Sequence, residues 1–434
     1  MTDEQITPSA PTEGDPKWKQ RMALFLGSQT ISLFGSSIVQ YAVMWHLTLT
    51  TKAGWVIMLY AVAAFMPQAI LSLFGGALAD RMNRRTVIVV ADTVIAVVTL
   101  GLAILMTMGN AGLWMILLAV AIRSVGQGFQ SPAVAALIPQ LTPPSQLMRI
   151  NGLNQSIQSA MALLAPAVGG AIYAWGGLVP TFWVDVVTAL IGVGIMLTIP
   201  VATVRSAANL DSSLIADLRD GLRYVYHHRK VAWLLVLFAV IFTLVVAPSF
   251  LTPLMLARSF SDEVWLLTVN ELVFSLGMAL GGISIATIAA AWHQGRMLKT
   301  ACFIFGVASA LLGFTPLLGY TAGLVVFYAL GALIAAAIPY FSAPVNTLIQ
   351  RSVETEYMGR VSSIINVVVT LAMPVGMLAF GPLADIVSVE TILVATGVIA
   401  VVFVSLAFAA PIGREVAKDS GIDGNRANTS DVPN

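Results

Sequence analysis

Charge is scarce in this chain. Of its 434 residues only 10% are Asp, Glu, Lys or Arg, while 58% are hydrophobic. A water-soluble domain carries about 25% charged residues, so a soluble fold would leave many apolar side chains with no core to enter. Cysteine is nearly absent: Cys302 stands alone inside an apolar run, which excludes an intrachain disulfide. The four histidines, His46, His227, His228 and His293, lack metal-ligand spacing with a second histidine or a carboxylate, so no metal is expected. No Ser/His or His/Asp constellation converges and no nucleotide-binding motif is present, so neither catalytic residues nor a cofactor is expected. The basic residues are scattered over short segments, which argues against a nucleic-acid partner.

Long apolar runs are what the chain has instead. Hydropathy divides it into twelve, at about 22–47, 54–79, 86–108, 112–138, 152–175, 179–200, 231–257, 264–291, 298–318, 323–350, 361–386 and 390–411. Each is near or above the ~20 residues a helix needs to cross a bilayer core. The segments between runs alternate between two sides, with the N-terminus on side one. Of 22 Lys and Arg residues, side two holds only Lys52 and Arg258, and Arg123 lies within a run; the rest fall on side one. The positive-inside rule then places side one, with both termini, in the cytoplasm. The expected fold is an all-α membrane protein of twelve transmembrane helices in two six-helix pseudo-repeats. Its expected home is the lipid bilayer of a bacterial cytoplasmic membrane, as a monomer. The first run is too long and starts too late for a cleavable signal peptide, and should act as an uncleaved anchor.

The expected organisation is a polar tail over 1–21, a six-helix half over 22–200, a linker over 201–230, a second half over 231–411 and a loose polar tail over 412–434. Within the linker, Leu214, Leu218, Leu222 and Val225 recur at helical spacing, which predicts an amphipathic surface helix over 211–230, capped by Asp211 or Ser212. The halves echo each other. At an offset of 211, Ser131, Leu137 and Ile138 align with Ser342, Leu348 and Ile349, and Arg85 with Arg296. Parallel halves of this kind enclose a midplane site and alternate access by rocking.

The sharpest local motif is Gly76-Ala-Leu-Ala-Asp80-Arg81-Met-Asn-Arg84-Arg85. Gly76 permits close helix approach, Asp80 can pair with Arg or accept from a helix N-terminus, and Arg81, Arg84 and Arg85 reach headgroups or carboxylates. Such a cluster can latch one state of a gate. The run resembles the signature loop of the major facilitator superfamily, with Asn83 where that family usually has Gly; Asn tolerates the left-handed region a turn needs. Leu164-Ala-Pro166-Ala-Val-Gly169-Gly170 resembles the fifth-helix motif of the superfamily's antiporters, with Ala165 in place of Gly. Gly27-Ser-Gln29-Thr-Ile-Ser32, Ile122-Arg123-Ser124-Val-Gly126, Glu271-Leu-Val-Phe-Ser275-Leu-Gly277-Met278 and Leu371-Ala-Met373-Pro374-Val-Gly376 look like macrolide-efflux proteins of the Mef type, within a wider drug–proton antiporter group that includes siderophore exporters. The resemblance implies the major facilitator fold and proton-coupled export of amphipathic small molecules, macrolides first. The alternatives are export of a siderophore, a bile acid or another metabolite and, more distantly, an integral membrane lipid enzyme.

Four ionisable residues lie inside runs: Asp92, Arg123, Asp185 and Glu271. Each costs at least ~2.5 kcal/mol at a lipid-facing central position, so each should face protein or water. Glu271 is the leading candidate for proton exchange, followed by Asp185 and Asp92. Arg123 resembles the fourth-helix arginine of drug antiporters, which tunes the proton site. Gln29, Ser32, Ser36 and Gln40 form one polar stripe at helical spacing; Asn151, Asn154, Gln155 and Gln158 form another. Facing inward, they would wet one wall of a substrate cavity. Met44, Trp45, Phe65, Met66, Phe274, Met278, Phe341 and Met373 would supply the apolar wall, since Met and aromatic side chains suit loose recognition of bulky drugs.

Overall fold

A computed structural model of the chain describes residues 17–79, 83–201, 214–289, 292–354 and 357–418. All twelve apolar runs form helix. The first six are α1 (Trp18–Thr51), α2 (Gly54–Ala79), α3 (Arg84–Thr107), α4 (Leu113–Leu141), α5 (Leu147–Gly176) and α6 (Leu178–Thr198). After them come a shorter α7 (Leu214–His227), then α8 (Arg229–Phe250), α9 (Thr252–Ser259), α10 (Val264–Ser284), α11 (Gln294–Leu312), α12 (Tyr320–Ser352), α13 (Met358–Ile386), α14 (Val389–Ala409) and α15 (Pro411–Lys418). Among the described residues, 12 spans are long and apolar enough to cross a membrane, with α8 and α9 together making one of them.

The chain divides into two compact units. The first is Met1–Thr51, Val56–Asn209 and Glu263–Thr268; the second is Lys52–Trp55, Leu210–Asp262 and Val269–Asn434. In the first, α1 packs on α5 and α6, and α3 on α4 and α6. In the second, α11 packs on α12 and α14, and α8 on α13 and α14. Helix α3 shows the solvent these elements are built for. Val90, Val94, Val97 and Ile104 are exposed, while Ile88, Asp92, Ile95 and Thr99 are buried. A surface helix in water puts its polar stripe outward; here the polar groups point into the bundle and the valines point out, as lipid tails demand. Small residues set the helix spacing. A Cβ on Gly35 of α1 would lie 2.9 Å from the Asp185 Cα of α6, so only glycine lets these backbones approach so closely.

Several expectations change. Helices overshoot the apolar runs: α1 starts at Trp18 and α5 at Leu147, carrying Lys19, Arg21 and Arg149 on their first turns. Long basic side chains can lie along apolar surface and leave their charge at the interface, so the helix need not stop where hydropathy does. The seventh span is broken at Leu251 between α8 and α9, just ahead of Pro253, which cannot donate a helical hydrogen bond. The C-terminal tail is not loose from its start: α15 continues to Lys418, with Val416 wholly buried. In the linker the buried side chain is Tyr224, stacked on Tyr357 and on His228 at ring centroids of 4.5 and 3.8 Å, while Leu222 is 58% exposed. Val225 of the expected stripe packs against the same cluster, and the side chains of Leu214 and Leu218 lie outside the described residues. The proposed caps at Asp211 and Ser212 lie outside the described residues.

Candidate functional site

The first unit buries two carboxylates on adjacent levels, and helical spacing explains why. On α1, Ser32 and Ser36 are one turn apart; on α3, Asp92 and Thr99 are two turns apart; on α4, so are Arg123 and Gln130. Each pair therefore keeps one face. At the level nearer side one, Asp92 Oδ1 accepts from the Ser32 hydroxyl at 2.7 Å and from Gln130 Nε2 at 2.9 Å. Gln130 Nε2 also reaches Gln29 Oε1 at 3.5 Å. Among the described residues, Asp92 Oδ2 and Gln29 Nε2 are buried with no partner. At the other level, Asp185 of α6 accepts from Ser36 at 3.0 Å and from Thr99 at 2.9 Å, and forms an ion pair with Arg123. Arg123 also donates to the Thr99 hydroxyl. Asp185 is wholly buried, and Arg123 nearly so. Asp185 thus has a full countercharge, and Asp92 has none among the described residues.

Two cavities adjoin this network. A cleft of about 200 Å³ runs between α1 and α5, lined by Gln29, Thr30, Gln40 and Tyr41 on one side and by Asn154, Gln158 and Met161 on the other. A smaller one, about 30 Å³, is enclosed by Ser36, Gln40, Tyr60, Arg123, Ser124 and Gln127. That is room for one or two waters among several polar partners. Gln40 lines both cavities, and Gln29 lines the cleft while bonding toward Asp92. The cleft therefore touches each carboxylate level through one glutamine.

The structure gathers Gln29, Gln40, Asn154 and Gln158 into this cleft, and puts Ser36 on the smaller cavity, donating to Asp185. Glu271, Phe274 and Met278 lie on the part of α10 that belongs to the second unit. Glu271 is half-buried, and no hydrogen bond or ion pair involves it among the described residues. Several proposed apolar wall residues are core instead. Trp45 is wholly buried, and Phe341 stacks on Phe238 at 5.6 Å within the second unit. Of the gate residues, Asp80 and Arg81 lie outside the described residues, and Gly76 falls on α2. Arg84 donates to the Ala136 carbonyl at 2.9 Å and Arg85 to that of Leu197, so both tie down helix ends. Asn83 is extended, at φ −64°, and its side chain accepts from Arg85 N at 3.0 Å. It serves as a helix N-cap rather than a left-handed turn residue. Pro166 and Gly169 are buried in α5, and a Cβ on Gly170 would overlap the Thr268 hydroxyl.

Sequence reading missed Thr99 and Gln130, although each stands seven residues from a charge it named. It also counted Lys52 and Arg258 only as exceptions to the charge bias. Both belong to one cluster in the second unit. Arg258 pairs with Asp385 at 2.8 Å and donates to the Lys52 carbonyl, while Lys52 reaches Asp262 at 2.5 Å. Asp385 also accepts from the backbone of Gly54 and Trp55 at 2.7 and 2.8 Å. The two basic residues that break the charge rule are held by carboxylates.

A bundle of spans with buried ionic levels opening on a polar cleft is a transporter's arrangement. Residues 22–377 match the family model of the Major Facilitator Superfamily. The chain belongs to the Major Facilitator Superfamily. This facilitator is a membrane transporter, not an enzyme. It is 27% identical over 408 residues to macrolide efflux protein A of Streptococcus pyogenes, covering 92% of this chain and 98% of that protein. It is 23% identical over 337 residues to the multidrug efflux pump Tap of Mycobacterium tuberculosis (strain CDC 1551 / Oshkosh), covering 75% and 78%. Among solved structures, the facilitator superposes on a bacterial homologue of the iron transporter ferroportin in its inward-facing state with a TM-score of 0.67 at 16% identity, covering 92% of this chain and 99% of that one. The POT family transporter PepTSo gives a TM-score of 0.69 at 12% identity, with coverage of 92% and 99%. These structures speak to the fold.

Proposed function

We propose that this facilitator exports amphipathic small molecules, macrolides foremost, from the bacterial cytoplasm by proton-driven alternating access. The observation that carries the reading is the cleft between α1 and α5, whose Gln29 connects through Gln130 to the buried Asp92 and whose Gln40 also lines the small cavity at Arg123. A substrate seated there competes for Gln29, and so disturbs the Gln130 amide that holds Asp92. That is a physical route from substrate binding to proton release. The likeness to a macrolide efflux protein and to a multidrug pump supports the direction and the substrate class. The test is a susceptibility panel in a pump-deficient host with and without the chain, including macrolides, siderophores and bile acids. Raised tolerance to macrolides is expected. Raised tolerance to the other classes alone would move the substrate to the alternative reading. Gln40→Leu and Gln158→Leu should each weaken substrate binding about fivefold, the worth of one hydrogen bond of ~1 kcal/mol; unchanged binding in both would remove the cleft from the substrate path.

Orientation follows from the charge bias. Thr51→Cys and Ser261→Cys, in a Cys302→Ser background, should react with an impermeant thiol reagent in intact cells, and Ser213→Cys should not. Labelling at position 213 would invert the assignment. At the signature loop, Asp80→Asn keeps shape and removes charge. Membrane insertion should stay near normal while transport falls by an order of magnitude or more, since an electrostatic latch is worth ~1–3 kcal/mol. Wild-type transport in that variant would reduce the loop to a topological anchor.

A further inference from the structure

An open groove of about 500 Å³ lies between α11 and α12 in the second unit. Its floor is apolar and made of small or branched residues, among them Ala301, Ile304, Leu333 and Ala337. From residue 296 to residue 304 the groove follows α11 for about 12 Å, at 1.5 Å per residue. Its mouth is different. Trp292, His293 and Arg296 stand there, on the side that carries the chain's basic residues, with Tyr340 on the facing wall. Tyr340 is fixed by a 2.7 Å hydrogen bond with Ser284. Trp292 is 53% exposed, the place of an interfacial aromatic. Arg296 is exposed and has no hydrogen-bond or ion-pair partner among the described residues. The first turn of α11 contains no acidic residue.

A groove with a cationic, aromatic mouth and a dry apolar floor matches a molecule with an anionic head and a hydrocarbon tail. We infer that this groove is a binding site for one anionic glycerophospholipid of the side-one leaflet. The phosphate faces Arg296, with His293 beside it, and an acyl chain lies along Ala301, Ile304 and Leu333. Basic pockets between spans on the cytoplasmic side hold anionic headgroups for this reason. A neutral amphiphile fills the floor equally well but leaves the guanidinium unmatched. A soluble phosphate matches the guanidinium and leaves the floor exposed. The charge and the floor together therefore select the anionic lipid.

The test uses the full chain in detergent, with lipid retention read by native mass spectrometry after addition of phosphatidylglycerol or phosphatidylcholine. One phosphatidylglycerol per chain should be retained in clear preference to phosphatidylcholine. Arg296→Gln should lower phosphatidylglycerol retention about fivefold, since one basic group near an anionic surface is worth ~1 kcal/mol. Leu333→Trp, which fills the groove from its exposed wall, should lower retention of both lipids. The two variants change exposed side chains, and circular dichroism checks that each remains folded. Equal retention of the two lipids, or unchanged phosphatidylglycerol retention in both variants, overturns the proposal. Displacement of the lipid by glycerol 3-phosphate at equal concentration overturns it in favour of a soluble phosphate, and displacement by a macrolide in favour of a drug pocket.

Discussion

Arg123→Met should cost this transporter several kcal/mol of stability as well as its transport. The guanidinium is the countercharge of Asp185, and the pair sits among helices with almost no exposed surface. Removing one partner of a buried pair strands the other charge, which typically costs 3–5 kcal/mol. Ser36 and Thr99 would still donate to Asp185, but two hydroxyls do not replace a full charge. The expected result is a markedly lower unfolding temperature in detergent, poor yield from membranes and no export. Asp185→Asn should fail similarly, by leaving Arg123 unmatched. The double variant Arg123→Met with Asp185→Leu is the informative one. With neither charge present the desolvation cost disappears, so the fold should recover most of its stability. Export should not recover. If it does, the pair is glue between α4 and α6 and has no part in the cycle. If the single variant unfolds and exports like wild type, the pair contributes to neither.

The twelve spans were legible because a bilayer asks for long apolar runs and little else, and the four intramembrane charges were legible because their cost makes them conspicuous. Their partnership was not. Asp185 and Arg123 are 62 residues apart, and Ser36 lies 149 residues before Asp185. Nothing periodic in the chain says that α1, α3, α4 and α6 converge. Glycine at position 35 is the nearest hint, since it marks a close helix approach without naming the partner helix. Thr99 and Gln130 were within reach, because a residue two turns from a buried charge shares its face. Hydropathy misjudged the aromatic and Met positions for a plain reason: inside a membrane protein the same side chains serve lipid, core and cavity, and Trp45 and Phe341 went to the core. The amide stripes of α1 and α5 were more readable, since an amide is expensive anywhere but a wet or hydrogen-bonded wall.

Two carboxylates in the spans have no countercharge among the described residues, and one measurement separates them. Asp92 and Glu271 are each expensive in a membrane unless hydrated, hydrogen-bonded or protonated. The sequence placed Glu271 first, as an isolated carboxylate deep in a span. The geometry of the first unit gives Asp92 the better connection to the proposed substrate cleft, because Gln130 joins it to Gln29 on the cleft wall. Asp92→Asn tests this cleanly. Ser32 and Gln130 both donate to Oδ1, which asparagine retains, and the new amide nitrogen takes the place of Oδ2, which already lacks a partner. The variant should therefore fold and bind substrate within about twofold of wild type. It cannot exchange a proton. Adding substrate to the purified wild-type protein in weakly buffered solution should release protons; in Asp92→Asn the release should vanish, and export against a gradient with it. Glu271→Gln should retain both. The opposite pattern would return the proton site to α10 and leave Asp92 as a packing group. Loss of release in both variants would mean that the two carboxylates act in series. Release at the wild-type level in both would leave Asp185 as the remaining candidate, with Arg123 as the countercharge that tunes it.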